Sequence, residues 1–212
     1  MKKSLVLIFV FSFTVLFADY SSSISKITPE IKKRMIKGNS WRKGCPVSLK
    51  NLRYLRVTHN DFTGSEVMGE IIVHKDVSHE VTEIFEDLYE IGYPIKKMKL
   101  VSDYKGNDWQ SIEADNTSAF NCRSATGSKK WSKHSYGKAI DINPIENPYI
   151  ARSGRISHKA SLKYRKRVHK NSSYADKAVL LKNDKATKIF KKHGWKWGGD
   201  WPGVKDYQHF SK

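Results

Sequence analysis

Two short segments of this chain carry side chains able to hold a metal and move a proton. Ser132-Lys133-His134-Ser135-Tyr136-Gly137-Lys138-Ala139-Ile140-Asp141 supplies an imidazole and, seven residues on, a carboxylate. Asp206-Tyr207-Gln208-His209-Phe210 supplies a second imidazole and, three residues before it, a second carboxylate. His134, Asp141 and His209 make a two-histidine, one-carboxylate ligand set. In zinc hydrolases such a set leaves a fourth position for a water whose pKa falls to about 7. Iron accepts the same donors with open positions, so ligand types alone leave an oxygenase open. Asp206 separates the two. A carboxylate beside an activated water can take its proton and pass it to a leaving amine, which an iron oxygenase does not require. An Asp three residues before a His says little alone; beside the first segment it says much.

Arg123 ends the segment Asn116 to Arg123, just before the turn that carries His134. A guanidinium there suits a carbonyl oxygen becoming an oxyanion, or a substrate carboxylate. The plain alternative is a surface arginine in a chain with 39 Lys and Arg. Cys45 and Cys122 are the only cysteines. An oxidising compartment favours a disulfide between them, against two buried thiols or metal ligands. That bridge would pin the backbone next to Arg123. His59, His74, His79, His158, His169 and His193 lie in no ligand spacing and read as structural or solvated. The Trp195, Trp197, Trp201 cluster around Gly198-Gly199 reads as core and a tight turn, with a lesser case for Asp200 and Trp201 on a cleft rim.

The beginning of the chain suggests where that chemistry takes place. Lys2 and Lys3 precede an apolar run from Ser4 to Phe17, and the chain turns polar after Ala18. The pattern is that of a cleaved secretory signal peptide, residues 1–18, and the run is short for a bilayer span of roughly 20 residues. The expected location is the periplasm, the cell wall or the outside of the cell, with no membrane anchor after cleavage. Cleavage leaves 194 of the 212 residues, enough for one domain with a sizeable core, and lowers the formal charge from +18 to +16. Such a charge invites nucleic acid as a partner, but an exported protein first meets the polyanions of the envelope. The basic residues gather in Arg152 to Lys170, a solvated loop or a docking surface for anionic polymers.

The elements that must position these groups are those of an α+β domain. Residues 19–44 read as a leader with a short helix around Pro29 to Ile36, and 45–212 as the domain. Strands are expected at Leu52 to Thr58, Gly69 to His74 and Lys97 to Ser102, with shorter ones at Thr117 to Arg123 and Lys138 to Asn143. Asp76 is expected to cap a helix running to Glu90, since Val77, Val81, Ile84, Phe85 and Leu88 share a face. Asn183 or Asp184 should cap a last helix, ended by Gly194. Trp195 to Trp197 and Asp206 to Phe210 read as extended. The whole is a small, mostly antiparallel sheet with flanking helices, and nothing in the pattern calls for an obligate partner, so a monomer is expected.

The pattern SxHxxGxAxD at Ser132 to Asp141, with Trp195-x-Trp197-Gly198-Gly199-Asp200-Trp201 and Asp206 to Phe210, resembles the D-alanyl-D-alanine carboxypeptidase family of metallopeptidases. That group takes in the L-alanyl-D-glutamate endopeptidases of phage lysins and wall hydrolases, and the likeness is to its endolysin-like branch. The resemblance runs over roughly residues 45–211. It implies zinc on His134, Asp141 and His209, Asp206 as base, Arg123 as substrate or transition-state clamp, and Ser132 as a contact to a substrate carboxylate. It further implies peptidoglycan stem peptides as substrates, and the small α+β fold shared with the hedgehog signalling domain. That fold also permits a non-catalytic, zinc-stabilised wall or envelope binding module. The basic segment Arg152 to Lys170, between the two motifs, departs from the family pattern and puts substrate preference in question.

Overall fold

The computed structural model describes residues 20–168 and 172–212. Residues 1–18, the expected signal peptide, lie outside the described residues, as do His169 and Lys170 at the end of the basic segment. Strands β1 (Ser22–Lys26), β2 (Leu52–Asn60) and β3 (Glu66–His74) form an antiparallel sheet in the order β1-β2-β3. Alternation along β2 and β3 gives this sheet two apolar faces. Leu55, Val57, Ile71 and Val73 face the main core, while Leu52 and Ile72 face a second cluster with Met35, Leu100 and Phe120.

Helix α1 (Pro29–Lys37) covers the second face. Thr28 accepts a hydrogen bond from Ile31 N, and Pro29 opens the first turn, the position where a missing N–H costs nothing. Arg34 on this helix forks onto Glu70 of β3 at 2.7–2.8 Å and onto Asp103 at 2.6–2.8 Å. The segment expected to be a leader therefore supplies a strand and a helix to the domain. A disulfide joins Cys45 to Cys122 with Cα atoms 5.8 Å apart, fastening this layer to the residue beside Arg123.

Helix α2 (Ser78–Glu90) covers the first face with Val81, Ile84, Phe85 and Leu88, the i, i+3, i+4, i+7 stripe of its sequence. Asp76 is not its cap. His74 Nδ1 instead accepts from Asp76 N at the head of a 3-10 turn, Lys75–Val77, and the Asp76 carboxylate pairs with Lys138. Lys97 to Ser102 forms no ladder strand either. The Asn116 side chain accepts from Lys99 N and donates to Lys99 O, taking the place of a neighbouring strand, and Val101–Tyr104 then winds into a 3-10 turn. Thr117 to Arg123 is held by single bridges, one of them from Ser118 to Asp141. Helix α3 (Asp108–Glu113), capped by Asn107, lies between these stretches.

The second half carries β4 (Ala139–Asp141), β5 (Tyr149–Ile150), α4 (Tyr174–Lys177), α5 (Lys185–Lys192), β6 (Lys196–Trp197), β7 (Lys205–Asp206) and β8 (His209–Ser211). Asp184 caps α5 by accepting from Thr187 N, as its position predicts. A second antiparallel sheet runs β4-β8-β6, and β5 pairs with β7. Ile140, Phe190, Trp195, Trp197 and Phe210 join this sheet to the main core, with Phe190 stacked on Phe210 at 3.9 Å. The architecture is α+β.

Part of the basic segment belongs to the body. Arg167 donates to Glu146 O, Asn147 Oδ1 and Leu180 O, and its guanidinium lies 4.4 Å from the Tyr207 ring centre. Tyr164 donates to the buried Glu146 carboxylate at 3.1 Å. Burial, with the charge of Asp115 beside it, pushes Glu146 up to about 9.

Candidate active site

His134 sits on a 3-10 turn, Lys133–Tyr136. Ser132 caps that turn, its Oγ accepting from His134 N at 3.3 Å, and Gly137 closes it with φ +67°. A side chain at Gly137 would meet His74 N at 2.6 Å, so glycine is required on both counts. The turn delivers the chain into β4, where Asp141 is the last residue. Antiparallel register sets Asp141 directly opposite His209 of β8, which puts the two side chains on one face. Ser118 fixes the other edge, exchanging both backbone hydrogen bonds with Asp141 at 2.8 and 3.0 Å.

The three side chains converge. His134 Nε2 stands 3.2 Å from His209 Nδ1 and 3.2 Å from Asp141 Oδ2, and His209 Nδ1 stands 3.0 Å from Asp141 Oδ1. Tetrahedral ligands at zinc bond lengths of about 2.0–2.1 Å lie roughly 3.3 Å apart, so these donors fit one ion. They are His134, Asp141 and His209, all buried, with candidate ligand atoms within 4.8 Å of one another. His134 Nδ1 donates to Ala119 O at 2.6 Å, which leaves Nε2 with its lone pair facing the other two groups. Burial opposes charge on Asp141, but both imidazoles outweigh it and hold the carboxyl well below its usual range. Burial likewise opposes charge on His209, and Asp141 outweighs it in turn.

Asp206 lies in β7, opposite Tyr149 of β5. Its Oδ1 is shielded from solvent and has no hydrogen-bond partner. Burial, then the charge of Asp141, raises its pKa to about 6. Close approach to the preceding turn is possible because residue 198 is glycine: a Cβ there would meet Asp206 O at 2.4 Å.

Arg123 is pinned through its backbone. Its N–H donates to Ser135 Oγ at 2.9 Å, and Ser135 Oγ donates to Arg123 O at 2.6 Å. Its Nε edge is ion-paired with Asp108 of α3 at 3.0 Å, a partner that no local pattern announces. Arg123, Ser132, Asp206 and the three chelating side chains all line one cleft of about 720 Å³. Ser132 thus caps the metal turn and faces the cleft as well. Trp201 also lines it, with its ring 5.3 Å from that of His209. Asp200 instead pairs with Lys191 at 2.7 Å. Among the cleft residues the motifs did not single out are Trp109 and His158, with His158 in the wall rather than in a merely structural or solvated place. They come from segments far apart in sequence, and neither lies in a spacing that signals the other.

The arrangement offers a chelating centre, a carboxylate of raised basicity beside it, and a cation across the same cleft. No curated protein and no solved structure gives a match to the chain. A family model described as D-alanyl-D-alanine carboxypeptidase matches residues 126–212. The matched stretch carries all three candidate metal-holding side chains and Asp206, and in that part the chain is similar to the D-alanyl-D-alanine carboxypeptidase family of peptidases.

Proposed function

We propose that this protein is an exported, zinc-dependent peptidase that hydrolyses peptide bonds in peptidoglycan stem peptides. The observation that carries the reading is Asp206, a carboxylate kept partly desolvated and unpartnered at one oxygen beside a three-donor centre. A purely structural metal site has no use for such a group, which costs stability. Zinc held by His134, Asp141 and His209 would supply a Lewis acid and an acidified water. Asp206 accepts the proton of the attacking water and returns it to the departing amine. Arg123, ion-paired with Asp108, faces the cleft as the donor for the carbonyl oxygen while negative charge develops there. Ser132 keeps its Oγ on the His134 turn, so its first task is to position that ligand. Export follows from the apolar run before Ala18 and accords with the disulfide.

Mass spectrometry of muropeptides incubated with the zinc-loaded protein, with and without chelator, tests the reading. Chelator-sensitive release of D-alanine identifies a carboxypeptidase, and cleavage between L-alanine and D-glutamate an endopeptidase. Unchanged masses with a folded, zinc-replete protein would instead favour a wall-binding module.

A further inference from the structure

The cleft is lined with more aromatic surface than the side chains of a stem peptide cover. Trp109, Trp131 and Tyr149 all line it, and they remain 51%, 39% and 37% exposed. Large apolar faces left open together in one cleft mark a binding surface. Stem peptides are built mainly from alanine and from residues bearing carboxylates or amines; an ammonium side chain can lie over one such ring, but the small alanines and the carboxylates leave the rest of this aromatic surface uncovered. The sugar to which they are attached can cover it. A pyranose presents a face of C–H groups that packs on an aromatic ring, with hydroxyl and amide groups at its edge for a polar rim.

Trp109 is the ring built for such a task. His158, from the basic segment, packs against it with ring centres 3.9 Å apart. His158 Nδ1 and Glu113 Oε1 are 2.6 Å apart, and Glu113 stands one helical turn beyond Trp109 on α3. The indole is thus backed by a side chain that is itself held, which lowers the ordering cost of stacking a ligand on it. Asp108, its neighbour in sequence, is the ion-pair partner of Arg123, so this wall adjoins the residue assigned to the reacting carbonyl.

We propose that Trp109, held by His158 and Glu113, is a stacking subsite for an N-acetylated pyranose of the glycan that bears the stem peptide. The proposal rests on the stem-peptide reading above. It makes the protein select sugar-linked peptides over free ones, and it places the cleaved bond near the sugar rather than at the far end of the stem.

The test compares N-acetylmuramyl-pentapeptide with the same pentapeptide lacking the sugar, using the zinc-loaded full chain. The expected kcat/KM is at least about ten-fold higher for the sugar-linked substrate, the factor that about 1.4 kcal/mol supplies, and the difference lies in KM. Trp109→Ala brings the two substrates to within about two-fold of each other, while Trp109→Phe keeps part of the preference. Equal use of both substrates by the wild type, or a preference that survives Trp109→Ala, overturns the subsite and leaves the peptidase reading intact. Sugar-independent release of terminal D-alanine does the same. If neither substrate is cut, the peptidase reading fails, and titration with N-acetylglucosamine oligomers decides the subsite alone. Quenching of indole fluorescence that is lost in Trp109→Ala supports it; no Trp109-dependent quenching overturns it.

Discussion

A carboxylate with a buried, unpartnered oxygen close to a second carboxylate is costly to maintain, and Asp206 is kept so next to Asp141. If that cost serves proton transfer, Asp206→Ala should keep its zinc and lose about 10²–10⁴-fold in turnover, the range expected for a positioned base. Zinc content by metal analysis and turnover on muropeptides check the two halves of that statement, and an active, zinc-replete variant would refute the assigned role. The pH dependence follows with a definite sign. The base must be ionised, so kcat/KM falls as pH drops through the pKa of Asp206. A cation among the chelating side chains offsets the charge of Asp141 while burial persists, which sets the acid limb between about 4 and about 6. A rate that stays flat down to about pH 4 would remove Asp206 from that step. At this scale the sequence was easy to read where chemistry is local. Asp141 follows His134 by seven residues across one glycine turn, and Asp206 precedes His209 by three. The Asp108 to Arg123 ion pair and the Trp109 to His158 contact join side chains whose sequence separation follows no motif, and only the fold brings them together.

Among the elements, the turn at Gly198 matters more than its two-residue strands suggest. A methyl group on residue 198 would press on Asp206 O and Asp206 Cβ, at 2.4 and 2.9 Å. Gly198→Ala is therefore expected to shift β7, cutting turnover by about 10²-fold, the penalty of an ångström-scale misplacement, while His134, Asp141 and His209 keep their zinc. Loss of zinc and turnover together would show that the turn supports the whole centre instead. Elements with a repeating pattern were legible in advance: the apolar stripe of α2, the alternation of β2 and β3, and the Asp184 cap of α5. Lys97 to Ser102 has strand-like alternation but not a strand's partner. Single backbone bonds join it to Glu70 and Thr117, Lys99 pairs with the Asn116 side chain, and side-chain substitution for a ladder leaves no trace in hydropathy.

For the molecule as a whole, the buried pair Asp115 and Glu146 ties stability to pH. Glu146 titrates at about 9 in the folded protein, well above the ordinary carboxyl value, so the folded state holds a proton that the unfolded chain gives up. Its contribution is least favourable above that pH and improves as pH falls toward the ordinary value. Glu146→Gln should remove this slope, so that the Tm difference between variant and wild type narrows as pH is lowered from about 9 to about 5. Thermal melts across that range check it, and a difference that does not change with pH would mean that Glu146 does not hold its proton in the folded state. The high net charge acts on both proteins alike and drops out of the comparison. Residues 20–44 show how far composition can mislead at this scale. Their short, polar strand and helix look dispensable, yet β1 pairs along β2 and Arg34 clamps two acidic groups.

Arg167 has a consequence for digestion. The segment from Arg152 to Val168 is rich in trypsin's preferred residues, and its charge alone would predict cuts throughout. A protease must draw several residues of backbone into its own cleft, and a guanidinium that donates to Glu146, Asn147 and Leu180 does not leave its place without opening the body. Limited proteolysis followed by intact-mass analysis should find the first nicks at exposed Arg152 or Arg155, with Arg167 cut only on the timescale of global unfolding. Early cleavage after Arg167 would show that the segment is draped over the surface rather than stitched into it.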